Sequence, residues 1–270
     1  MENPSSLTRW LITVVGVSIL LFLCLPIAIV IPMSFSSADT LAFPPPSLSL
    51  RWYRSFFEDP RWLEAARTSL FVALASSTLA VLFGSAAAYG LVRGTFGGRR
   101  ILEANFLAPI IVPQVITALA LYMYLAKFGL LGTFGGLILG HTILGLPYVV
   151  LLMSVAIRSF DVRIEQAALS LGASWQEMFR RVLIPNLMPS LLAAWIFAFI
   201  ISFDEVIVTI FLSGAHETIP KKMFNELVLR VNPTITAIAT LLIGFTIITM
   251  GLAAWLAKRG SVSAIRGLDH

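Results

Sequence analysis

Trp10–Met33 is a continuous apolar run without one charged side chain. Similar runs, nearly free of charge, recur at about Ala65–Leu91, Ile101–Lys127, Phe134–Ile157, Ser190–Leu212 and Thr234–Ala257. A membrane-crossing helix needs roughly 20 apolar residues. In hydrocarbon only helices or closed barrels satisfy their own backbone, which makes each run a helix. The apolar core of a cleavable leader is only about 7–15 residues, so the first run reads as a retained span. Hydrophobic residues make up 58% of the 270 and charged ones only 12%, against about 25% charged in a soluble domain. That balance excludes a water-soluble enzyme, a nucleic-acid module and a disordered chain. The expectation is an all-α membrane protein, one transmembrane domain over 1–270, with no separate soluble domain.

The net charge of +5 fits basic residues flanking membrane spans better than a nucleic-acid partner. More than half of the 19 Lys and Arg fall in segments that are inside if the N-terminus is inside. These include Arg9, Arg93, Arg99, Arg100, Arg158 and Arg163, and the tail residues Lys258, Arg259 and Arg266. Both termini are therefore placed in the cytoplasm. The single Cys24 lies within an apolar run and makes no internal disulfide. Ser34 to about Trp62 reads as an extracytoplasmic loop with a short helix around Leu50–Phe57, and Gly214–Pro233 as a second outer loop. Pro109 and Pro113 fall within the third span, where each removes a backbone donor. They are expected to break or kink it.

One long stretch combines helical periodicity with polarity: Arg158–Pro189. Asp161 can cap a helix. Ile164, Ala167, Ala168 and Leu171 then form one apolar stripe, with Glu165 at its side. Gly172 is a natural helix stop. Ser174–Glu177 has the form of a capping box that opens a second short helix, which Pro185 is expected to end. The pair can lie on lipid headgroups. The small stripe of the first helix, however, suits a groove on a partner protein better.

Asp204 and Glu205 fall mid-way along the fifth span. A charged residue there costs roughly 2.5–3.5 kcal/mol on insertion scales, so each needs a cavity or a partner. On a helix, adjacent residues point about 100° apart, so one of the pair is expected to face a pathway. Phe203 lies beside them. Asp204 is the favoured one of the two, a carboxylate that would offset a positive charge brought beside it. His141 reads as a packing residue with satisfied ring nitrogens. No second His or Cys is placed to complete a metal site. Ser213-Gly-Ala-His216 lacks the third group of a nucleophilic triad.

Glu165-Gln-Ala-Ala-Leu-Ser-Leu-Gly172 followed by Ile184-Pro185 resembles the signature loop of inner-membrane permease subunits of ABC importers. Gln166 stands where the pattern has its first Ala. Ser202-Phe-Asp-Glu-Val-Ile-Val208, then Gly214 and Ile219-Pro220, is similar to the spermidine/putrescine-type permeases. The resemblance implies a six-span permease that imports a small polar, cationic solute and is not itself a catalyst. It implies two ATPase subunits below, a second homologous permease alongside and a solute-binding protein outside. It also makes 158–189 a cytoplasmic coupling loop, with Ile164, Glu165, Ala167, Ala168, Leu171 and Gly172 docking on the ATPase. The chain has no phosphate-binding G-x-x-x-x-G-K-[ST] loop, so ATP and magnesium are expected on the partner and no cofactor on this chain. A secondary transporter would need coupling-ion sites and often shows an internal repeat. An intramembrane enzyme would need a nucleophile–base pair at matched depth.

Overall fold

The structure, a computed structural model, describes residues 6–229 and 232–266, with side chains described over 8–229 and 232–251. The side chains of Lys258, Arg259 and Arg266 lie outside the described residues. The described residues form helices and no strand; one isolated bridge joins Ser36 and Leu48. The helices are α1 (Ser6–Ser34), α2 (Arg51–Glu58), α3 (Pro60–Arg93), α4 (Arg99–Ile111), α5 (Gln114–Ala126) and α6 (Phe134–Ser159). They continue with α7 (Val162–Ser170), α8 (Trp175–Glu177), α9 (Ile184–Phe203), α10 (Ile207–Leu212), α11 (Ile219–Leu229) and α12 (Thr234–Arg266). Among the described residues, five helices are long and apolar enough to cross a membrane. The bent pair α4–α5 makes a sixth if it counts as one span.

The described residues within 6–60 and 225–245 form one compact unit. Its α1 is exposed on every side from Thr8 to Ala28. A helix that is apolar all round has no water-facing side, which fits a lipid-facing span. After α1 the loop is pinned by side chains. Ser34 Oγ and Tyr53 OH are 2.7 Å apart, the Phe35 and Tyr53 rings lie 5.2 Å apart, and Arg51 pairs with Asp39.

The described residues within 61–224 and 246–266 form the other unit. One apolar cluster in it holds Ala80, Val149, Met153, Met178, Ala194 and Ala198. These come from α3, α6, α9 and the turn before α9. A second holds Ala118 and Leu121 of α5, Leu137 and Leu144 of α6, and Val208 and Leu212 of α10. Small residues bring the backbones close. At Gly84 of α3 an added Cβ would lie 2.7 Å from Val149 Cγ1 and 2.9 Å from its Cβ. The β-branched valine has little freedom to yield.

Two expectations about prolines are corrected. Pro109 sits inside α4, which runs on to Ile111; the break comes at Pro113, and α4 and α5 meet at 110°. The residue before a proline is pushed out of the helical region, and Val112 is extended at φ −72°, ψ 132°. Pro185 does not end a helix either. Trp175 to Phe203 is continuously helical, through a π-helical turn at Met178–Leu183. In that turn the Ile184 N–H reaches back five residues to the Phe179 carbonyl. Pro185 comes just past that turn, where the shifted hydrogen-bond register takes up its missing N–H.

Candidate functional site

The fifth span is not one helix. α9 stops at Phe203 and α10 starts at Ile207, so Asp204 and Glu205 occupy a break and not adjacent helical positions. Glu205 is 5% exposed. Its Oε1 accepts the Val208 N–H at 2.7 Å, and Gln114 donates from Nε2 to Oε2. A carboxylate at the start of α10 takes up an orphan backbone donor and meets the positive end of the helix. Gln114 is the first residue of α5, just past Pro113. The Glu205 carboxylate therefore ties one helix break to the other. Asp204 is exposed, and its carboxylate has no hydrogen-bond or ion-pair partner among the described residues. Phe203 is half-buried and its ring stacks on Phe199 at 5.4 Å. Phe199 in turn stacks on Trp195 at 5.6 Å. The three rings follow one stripe of α9.

A buried polar chain spans the same break. His141 of α6 is 1% exposed. Its Nδ1 lies 2.8 Å from Ser202 Oγ in α9, and its Nε2 lies 3.0 Å from Thr209 Oγ1 in α10. Ser76 of α3 donates to Ser202 Oγ at 2.8 Å, and Thr209 donates to the Glu205 carbonyl at 3.0 Å. These directions assign the Nε2–H tautomer, in which His141 accepts from Ser202 and donates to Thr209. Every member then has a partner, and satisfied buried networks of this kind favour one packing arrangement. His141 is thus the satisfied residue expected of it. No local pattern marks its partners as flanking a helix break.

At the far end of α3, α7 carries the sequence motif. Asp161 Oδ1 accepts the Arg163 N–H at 2.9 Å. Gly172 has φ +92°, a left-handed conformation that costs glycine nothing. Ser174 and Glu177 complete both bonds of a capping box. Ile164, Ala167 and Leu171 are exposed, Leu171 at 89%. Ala168 is half-buried against the chain's own apolar cluster, so it leaves the exposed face. Glu165 also turns inward, at 4% exposed. Its Oε1 accepts from Arg93 Nε at 2.9 Å and pairs with Nη2 at 2.7 Å. Its Oε2 accepts from Tyr89 OH at 2.9 Å. By sequence Arg93 counts only among the basic residues that flank the spans. Its place as the last residue of a long helix was the available signal, because a cation is favoured there.

The sequence and the fold are matched by known proteins. Residues 5–262 match the family model described as "Binding-protein-dependent transport system inner membrane component". The chain is 30% identical over 247 residues to the spermidine/putrescine transport system permease protein PotC of Escherichia coli K12, covering 91% of this chain and 93% of that protein. It is 32% identical to the putrescine transport system permease protein PotI of the same strain, covering 92% and 91%. A bacterial ABC transporter involved in import of the acidic polysaccharide alginate contains a chain that superposes with TM-score 0.73 at 18% identity, covering 94% of this chain and 99% of that one. A methionine ABC transporter in an inward-facing conformation gives TM-score 0.61 at 14% identity, covering 73% and 95%. At these identities the two structures establish the fold alone.

Proposed function

The chain belongs to the family of binding-protein-dependent transport system inner membrane components, and from that premise we propose that it conducts a small, polyamine-like cation into the cytoplasm. It is a membrane permease of a transport family and not itself a catalyst. In this reading it is one permease domain over 1–270, with 158–189 as its cytoplasmic coupling loop and both termini inside. It works with a second homologous permease, two ATPase subunits and an extracytoplasmic solute-binding protein. ATP and magnesium are held by the ATPase. Ile164, Ala167 and Leu171 form the face presented to it. Gly172 ends that helix, while Ala168 and Glu165 fix its seating from behind.

The observation that carries the solute class is Asp204: an exposed, unpartnered carboxylate in a broken membrane helix. A cation entering a region of low dielectric loses water, and a fixed carboxylate offsets part of that loss. Phe203 supports the reading, because an aromatic face next to a carboxylate attracts the same kind of charge. Glu205, already committed to Gln114 and Val208, serves the geometry of the break. Pro113 supplies the second break and Pro109 does not.

The test is uptake into proteoliposomes holding the four-component complex. Spermidine and putrescine are expected to enter only with ATP and binding protein, and Asp204→Asn is expected to slow their entry. Transport of an anion in their place, or wild-type uptake by Asp204→Asn, would overturn the solute assignment.

A further inference from the structure

We infer that Arg93 is a positioning residue for energy coupling: it locks the coupling helix to α3, so that force applied to α7 arrives at the helix break. The inference rests on the permease reading above.

Three helix ends meet at one guanidinium. Arg93 is the last residue of α3, Glu165 lies in the first turn of α7, and Phe160 caps the C-terminus of α6. Arg93 donates from Nη2 to the Phe160 carbonyl at 2.8 Å, besides its two contacts with Glu165. A guanidinium fork fixes angle as well as distance, which a lysine's point charge does not. Each charge also sits where its own helix dipole favours it. One turn earlier, Tyr89 engages the other Glu165 oxygen and meets the Phe179 ring edge-on at 4.8 Å. Phe179 belongs to the π-helical turn that leads into α9. Glu165 thus faces inward on a helix whose opposite side, Ile164, Ala167 and Leu171, is exposed.

A helix held by apolar contact alone can slide. Here sliding would break a pair whose side chains are only 18% and 5% exposed. Breaking one partner away from a buried pair leaves the other charge uncompensated. Displacement of α7 therefore carries the end of α3 with it. α3 runs close against α6, so close at Gly84 that an added Cβ would lie 2.7 Å from Val149 Cγ1. Roughly 25 Å further along α3 at the helical rise stands Ser76, bonded to Ser202 and through it to His141. That chain holds the break with Asp204 and Glu205. α3 is then the rod between the exposed face of α7 and the break.

A charge-reversal cycle in the reconstituted complex tests this. Arg93→Glu and Glu165→Arg are each expected to cut solute moved per ATP hydrolysed by at least ~10-fold, with ATPase subunits still recovered on purification. The double swap is expected to regain at least ~10-fold over the worse single variant. A purely structural role would lower assembly and thermal stability and leave the transport-to-hydrolysis ratio unchanged. A swap no better than its worse single, or singles with the wild-type ratio, would overturn the inference. If the reversals fail to insert, Arg93→Lys keeps the charge and loses the fork; a wild-type ratio in that variant would equally overturn it. Failure of the permease reading shows separately, as absence of ATP-dependent uptake in the wild type.

Discussion

Neutralising the two adjacent carboxylates separately should produce two different defects. Asp204 has no partner to lose, so Asp204→Asn behaves as a substitution at an unpaired exposed site, within about 0.5 kcal/mol in stability. Glu205 holds the Val208 N–H and Gln114. A hydrogen bond to a charged group contributes about 1.5–3 kcal/mol, and a neutral one about 0.5–1.5. Glu205→Gln keeps the shape and loses the charge, so it gives up about 1 kcal/mol at each bond, about 2 kcal/mol together. The added amide also sets one donor against the Gln114 amide, which must turn to accommodate it. Thermal unfolding of the chain in lipid nanodiscs measures the first quantity. Uptake per folded complex in proteoliposomes measures the second. Asp204→Asn is expected to melt as wild type and to take up solute at least ~10-fold more slowly, equivalent to about 1.4 kcal/mol. Glu205→Gln is expected to melt lower and to transport near the wild-type rate per folded complex. If Glu205→Gln melts as wild type while uptake collapses, Glu205 does not tie the two breaks together and is the pathway charge. If neither variant slows uptake, the counter-charge argument fails.

His141→Ala should leave the buried Ser202 hydroxyl without an acceptor for its proton, at about 1–3 kcal/mol, while Thr209 keeps its bond to the Glu205 carbonyl; a melting temperature unchanged from wild type would refute the polar chain. Gly84→Ala should force Val149 aside and cost about 1–3 kcal/mol by overpacking, read as a lower melting temperature with normal membrane insertion. Leu171→Asp should insert and fold normally but lose the ATPase subunits on co-purification, because it places a charge on the exposed apolar face of α7; full recovery of those subunits would show that the face does not dock. Ala168→Trp should instead lower stability, since Ala168 packs inward.

The sequence was legible wherever one local rule sufficed. Uncharged runs of membrane-crossing length needed no tertiary information, because hydrocarbon demands that backbone groups be satisfied within each segment. Asp161, Gly172 and the Ser174–Glu177 box were readable for the same reason: a cap is a contract between residues two or three apart. The motif at Glu165–Gly172 identified the family that residues 5–262 match. Prolines were legible only in part. Pro113 broke its helix, whereas Pro109 and Pro185 were absorbed, one inside α4 and one after a π-helical turn. Whether a proline ends a helix depends on whether neighbouring packing and a shifted hydrogen-bond register take up the missing donor.

Side-chain direction required the tertiary structure. Periodicity grouped Ala168 with Ile164, Ala167 and Leu171, yet α7 is seated by what lies beneath it, and that turns Ala168 inward. Glu165 and Arg93 are 72 positions apart, and Gln114 and Glu205 are 91 apart; no local pattern links residues at such distances. His141 meets Ser202 and Thr209 only because α9 gives way to α10 opposite it. The adjacent acids were distinguishable only once that break was visible: off the helix, their directions are set by which partner each can reach. Composition and local spacing determined that this chain is a helical membrane protein, and the resemblance carried by the Glu165–Gly172 motif pointed to the family that residues 5–262 match. Which carboxylate is free and which is tied, and what anchors the loop, were decided by long-range pairing of buried polar groups, because a charge removed from water takes whatever partner the fold brings within reach.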